Sequence, residues 1–195
     1  MSTHTEPRRS TPFRDGLIVM GGMLAVMWVL EIIDVASAHS LDQYGIVPRR
    51  VDQLLHLLSA PWLHYGWGHL MSNTLPFLVL GMVTWLSGFR EWLTVTVLSL
   101  LGSGLLVWLI APNATITAGA SGLVFGYLAY LLVRGFFRRN GWQILIAVIV
   151  FAFYGTALFG VIPGAAGISW QGHLGGALGG VLAAWLPTRG TRTLR

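Results

Sequence analysis

Ser121 and His173 are the pair in this sequence best suited to breaking a peptide bond. A serine hydroxyl is a weak nucleophile until a neighbouring base takes its proton. A neutral imidazole can do that and later hand the proton to the leaving amine. His69 and Asn73 add hydrogen-bond donors. Four residues apart, they share one helix face and are suited to holding an oxygen that turns negative in the transition state. Ser121 follows Gly119 and Ala120 and opens an apolar run. If that run is a helix, its free N–H groups and positive dipole end lie beside the hydroxyl. The chain has no Cys, which excludes thiol nucleophiles, disulfides and thiolate metal sites. His56, His64, His69 and His173 do not form an H-E-x-x-H pattern, and no metal or cofactor is expected.

The elements that must position these groups follow from composition. Hydrophobic residues make up 54% of the 195 residues and charged ones only 10%, against about 25% charged in a soluble domain. So little charge cannot cover a water-facing surface. The fold class expected is all-α, a polytopic membrane bundle. A helix needs roughly 20 apolar residues to cross about 30 Å of hydrocarbon. Six stretches qualify, at roughly 16–34, 69–88, 92–111, 119–137, 142–162 and 171–187. The start of the chain partly imitates a secretory signal, with Arg8, Arg9 and Arg14 before an apolar run and Ala36-Ser37-Ala38 as a cleavage-like triplet. The segment is long for a signal, and Glu31 and Asp34 interrupt the approach to the triplet, so it is expected to stay as the first span.

All twelve basic residues are Arg. Ten fall on one side of the six-span frame: three in the N-terminal tail, Arg90, the group Arg134, Arg138 and Arg139, and Arg189, Arg192 and Arg195. Only Arg49 and Arg50, in the long 35–68 connection, fall on the other. The positive-inside rule then puts both termini in the cytoplasm of a cell (inner or plasma) membrane. The domains expected are a cytoplasmic tail at 1–15, a six-span body at 16–188 and a second tail at 189–195. No basic stripe interleaved with exposed aromatics is present, so no nucleic-acid partner is expected. Trp62, Tyr65 and Trp67 suit the headgroup level, in contact with membrane lipid.

In this topology the second, fourth and sixth spans run inward. His69 and Asn73, Ser121, and His173 lie in their first turns, at one depth in the outer part of the bilayer. Taken singly, each reads as a polar residue that joins helices by hydrogen bonds. Four of these types at one level read as a site. Gly122 with Gly126, and Gly172, Gly176 and Gly180, give small faces that let the fourth and sixth spans approach closely. That contact would bring Ser121 to His173.

At these positions the chain resembles the rhomboid family of intramembrane serine proteases. The matching motifs are His69-Leu-Met-Ser-Asn73 with Gly81, Gly119-Ala-Ser121-Gly122 with Gly126, and His173-Leu-Gly-Gly176-Ala-Leu-Gly-Gly180. The resemblance covers nearly all of the chain apart from the tails. It implies a Ser–His dyad on Ser121 and His173. It also implies an oxyanion site from His69, Asn73 and the backbone around Gly119 and Ser121, and substrates that are transmembrane helices cut near the outer face at small residues. It suggests lateral substrate entry near the second and fifth spans. His64 matches a common family histidine with a structural part. The chain departs from the family in two places. Phe125 stands where many members have a Tyr stacked on the histidine, and Leu55-His56 stands near a Trp-Arg pair of the first outer loop.

Other classes fit less well. A client-binding relative without activity typically lacks the Ser or the His, and both are here. A transporter needs a polar path across the bilayer, whereas these polar groups stop in its outer part. Glu31 and Asp34 read as solvated residues at a helix end, with orientation of His173 as the alternative.

Overall fold

The computed structural model describes residues 12–164 and 167–186. The tails, with Arg8, Arg9, Arg189, Arg192 and Arg195, lie outside them. Among the described residues seven α-helices follow in order: α1 (Pro12–Ala36), α2 (His56–Ser59), α3 (Trp67–Trp85), α4 (Phe89–Ile110), α5 (Ser121–Phe137), α6 (Gly141–Tyr154) and α7 (Trp170–Trp185). The six long ones correspond to the six expected spans. α1 begins at Pro12, earlier than the boundary drawn at residue 16. The fifth span differs in kind, because its α-helix stops at Tyr154 and continues as a 3-10 segment over Gly155–Val161.

Segments 12–36, 89–110 and 141–161 are long and apolar enough to cross a membrane on composition alone. The remaining three spans carry the candidate site residues or are short. α5 and α7 have 17 and 16 residues, which makes them roughly 24–26 Å long, less than the hydrocarbon thickness. The outer surface is greasy: Phe151 and Phe153 of α6 are 58% and 78% exposed. Apolar side chains outward and polar ones inward is the arrangement lipid requires. The protein is a multi-pass membrane protein.

α5 is the central helix, buried at every position from Gly122 to Leu131. Its sequence is apolar all round, which suits a helix with neighbours on every side. α7 packs most extensively, against α4 on one side and α5 on the other, and glycine is the reason. A methyl placed on Gly176 or Gly180 would overlap the carbonyl oxygens of Gly122 and Gly126 on α5. One placed on Gly175 or Gly179 would overlap backbone of α4 at Gly102 and Leu98. The two glycine faces of α7 thus bring three backbones together.

The long connection between α1 and α3 is built rather than loose. Short 3-10 turns at Asp42–Tyr44, Val51–Gln53 and Ala60–Trp62 flank α2. Ile46 and Thr117 exchange backbone hydrogen bonds of 2.8 and 2.9 Å. Leu55-His56 leaves the loop without the Trp-Arg pair, and Arg49 supplies the anchorage instead. Its guanidinium donates to the carbonyls of Leu109 (2.9 Å) and Ala111 (2.7 Å) and to Asn113. These are the orphan carbonyls at the end of α4, where a cation is favoured. Arg49→Ala is expected to lower stability by about 1 kcal/mol, read as the unfolding midpoint in detergent, with Lys a poor substitute because one ammonium cannot span the fork.

At the opposite end, Tyr130 donates to buried Glu91, and Arg138 pairs with Glu91 at 2.8 Å. Arg134 lies within α5, buried, and donates to Ser87. This end of the bundle is therefore not uniformly apolar. This cluster ties α4 to α5 and lies apart from the cavity described next.

Candidate active site

Ser121, His173, His69 and Asn73 line one cavity of about 280 Å³. It is bounded by α3, α5, α7 and the 3-10 segment after α6, with Phe125 and Tyr154 among its walls. The four residues that the topology placed at one depth line a common space.

Ser121 is the first residue of α5. Helix geometry leaves the N–H groups of Ser121 and Gly122 without an intrahelical acceptor. The residues before it are fixed by the outer loop: Gly119 N–H donates to the Ala60 carbonyl at 2.9 Å, and Ala120 N–H donates to His64 Nε2 at 3.3 Å. His64 is 2% exposed. Burial, with a smaller contribution from nearby His69, pushes it down to about 4. It is therefore neutral near pH 7 and able to accept that bond. Gly119 has φ +126°, and a methyl there would sit 2.7 Å from the His69 ring. The glycine both allows the turn and lets the imidazole lie against the backbone.

The hydrogen bonds of the two cavity histidines fix their tautomers. His173 Nδ1 is 2.9 Å from the Gly160 carbonyl. A carbonyl only accepts, so Nδ1 carries the proton and Nε2 keeps its lone pair. His69 Nδ1 receives the N–H of Tyr65 at 3.3 Å. A backbone N–H only donates, so in the neutral ring Nε2 carries the proton and is a donor on the Gly119 side. One ring thus keeps a lone pair at Nε2 and the other an N–H at Nε2.

Phe125 stacks on His173, with centroids 4.0 Å apart and planes at 9°. The ring contact expected of this position is present without a hydroxyl. Asn73 returns one amide N–H to the His69 carbonyl, at 3.0 Å. Gly122, beside Ser121, and Gly176, about one turn along α7 from His173, meet at the α5–α7 contact. Among the described residues Ser121 and His173 are not hydrogen-bonded to each other. Such contacts commonly tighten only with substrate in place.

Glu31 and Asp34 lie elsewhere. Asp34 accepts from Leu41 N–H (2.7 Å) and meets His39 Nδ1 (2.9 Å), and neither carboxylate lines the Ser121 cavity. The orienting acceptor for His173 is the Gly160 carbonyl. Sequence reasoning missed it because a backbone oxygen has no residue type. The local signal was the pair Gly155 and Gly160 within an otherwise apolar span.

The chain matches the Rhomboid domain over residues 51–190, a range that includes all four cavity residues. It belongs to the rhomboid family. An uncharacterized protein of Mycobacterium tuberculosis is 42% identical over 193 residues, covering 91% of this chain and 80% of the relative. Rhomboid-like protein 11, chloroplastic, of Arabidopsis thaliana is 31% identical over 66% of this chain and 51% of its own length. The rhomboid protease GluP of Bacillus subtilis is 30% identical over 66% of this chain and 25% of its own. This rhomboid is thus a multi-pass membrane protein of a family that points to intramembrane proteolysis.

Proposed function

We propose that this rhomboid is a serine endopeptidase that cleaves transmembrane segments of other membrane proteins near the outer face, with both termini in the cytoplasm. The observation that carries the reading is the histidine geometry. His173 has its Nδ1 proton directed at Gly160 and its Nε2 free, in the cavity that holds Ser121.

In the reaction Nε2 of His173 takes the Ser121 proton as Oγ bonds to the scissile carbonyl carbon. The carbonyl oxygen becomes an oxyanion. The nitrogen then leaves with the proton from His173, and a serine ester remains. Water repeats the sequence, giving its proton to His173, and the ester breaks to release the carboxylic acid and the free serine. His69 Nε2–H, an Asn73 amide N–H and the backbone N–H groups at the start of α5 are the donors for the oxyanion. A cavity of about 280 Å³ with the Phe125 ring on one side favours a small residue at the cut.

A groove of about 910 Å³ between α3 and α6, lined by Leu75, Val79, Ile146 and Phe153, opens the bundle sideways. It is the route by which a substrate helix reaches the site from the lipid.

Removing one oxyanion donor should lower kcat by about 10²–10³. His69→Ala and Asn73→Ala are each expected to do so on a purified transmembrane substrate, with the fold retained. Unchanged kcat in both would count against the donor assignment.

A further inference from the structure

A second polar cluster lies at the outer end of α1, behind the outer loop and apart from the Ser121 cavity. Glu31 and Asp34 are each 2% exposed. With Asp42 and His64 they line a small enclosed space. Ligand-capable atoms of Asp34, His39 and Asp42 lie within 4.8 Å of one another.

Asp34 is partly satisfied, by Leu41 N–H and the His39 ring. Glu31 is not: neither of its carboxylate oxygens has a hydrogen-bond partner, and one oxygen of Asp42 has none either. Asp34, Asp42 and His39 act on Glu31 electrostatically, and the Gly66 backbone N–H is near it without closing a hydrogen bond of good geometry. Three carboxylates and the His64 ring therefore line a space closed by Leu30, Leu41 and Leu63, and His39 meets Asp34 at its edge. Burying anions without donors is unfavourable, and like charges at close range add to the cost. A divalent cation would satisfy all of these groups at once.

We propose that Glu31, Asp34, His39 and Asp42 bind a divalent metal ion of the Zn²⁺ class, clamping the 39–42 turn onto α1. In a tetrahedral site ligand atoms lie roughly 3.3–3.6 Å apart, so the Asp34, His39 and Asp42 atoms, within 4.8 Å of one another, must close by about 1 Å, and Glu31, outside that trio, must swing in. One imidazole with carboxylates suits Zn²⁺ better than Ca²⁺, which takes oxygen ligands. The His39 side chain is 53% exposed, which leaves an entry path from the outer side. The metal would take no part in the reaction. It would sit behind His64, which holds the Ala120 N–H.

The test is independent of proteolysis. Tag-free Ser121→Ala protein in detergent, stripped with chelator, is titrated with ZnCl₂ by calorimetry and followed by its unfolding midpoint. The expected result is one saturable site that raises the midpoint. Glu31→Gln, His39→Gln and Asp42→Asn should each weaken binding at least about tenfold. Each variant is compared with its own metal-free midpoint, because His39→Gln also removes the bond to buried Asp34. No saturable binding, or binding undiminished in the His39→Gln/Asp42→Asn double variant, would overturn the proposal. Full affinity in Glu31→Gln would remove Glu31 from it.

Discussion

Ser121→Ala is expected to lower cleavage of a transmembrane substrate by at least about a thousandfold, with folding unchanged. Knocking out the nucleophile of a serine–histidine unit removes nearly all of its rate, and a second loss at the base adds little. His173→Ala should therefore cost about as much as Ser121→Ala, and the double variant no more than either. Substrate turnover in detergent, beside the unfolding midpoint of each variant, checks this. Multiplying losses would mean that the two residues act separately. Stability should change little for Ser121, because the side chain faces a cavity rather than a packed contact.

Gly176→Ala is expected to have the largest effect among substitutions away from the reacting atoms. The added methyl would overlap the Gly122 carbonyl, which belongs to the helix carrying Ser121. The obstacle is backbone on backbone, so no side chain can swing aside. α7 would have to move away from α5, and overpacking of this kind costs about 1–3 kcal/mol or more. His173 lies one turn from Gly176 on the same helix, so the same movement carries it away from Ser121. Both the unfolding midpoint and kcat should fall. As a control, Gly21→Ala on α1, where an added methyl meets nothing within 4 Å, should change neither. A normal kcat in Gly176→Ala would show that the α5–α7 contact does not set the dyad distance.

The two predictions rest on features that differ in how far the sequence revealed them. The spans were readable because their composition is dictated by lipid: an apolar run of about 20 residues has few other uses in this chain. The grouping of Ser121, His173, His69 and Asn73 was readable because counting spans and arginines put all four at one depth. The glycines of α7 were readable as a packing face, though not that α7 uses Gly175 and Gly179 against α4 as well as Gly176 and Gly180 against α5.

What stayed hidden was carried by backbone groups and by long-range partners. The Gly160 carbonyl that fixes the His173 tautomer has no side chain to notice. Arg49 anchors the outer loop through carbonyls some sixty residues away, and no periodicity encodes that. Arg134 looked like a residue of a connection on the arginine-rich side. It is buried within α5, which is surrounded on all sides, and the sequence of α5 alone does not state that. Glu31 read as solvated at a helix end, whereas the folded loop covers it and leaves its oxygens without donors.

The central claim is that Ser121 is made nucleophilic by His173. Reaction of the purified protein with a fluorophosphonate, followed by intact mass and peptide mapping, tests it most directly. The probe reacts with an activated serine and needs no knowledge of the natural substrate. One adduct on Ser121 in the native protein, lost in His173→Ala while that variant still folds, is the predicted result. An unlabelled Ser121, or labelling that persists undiminished in His173→Ala, would contradict it.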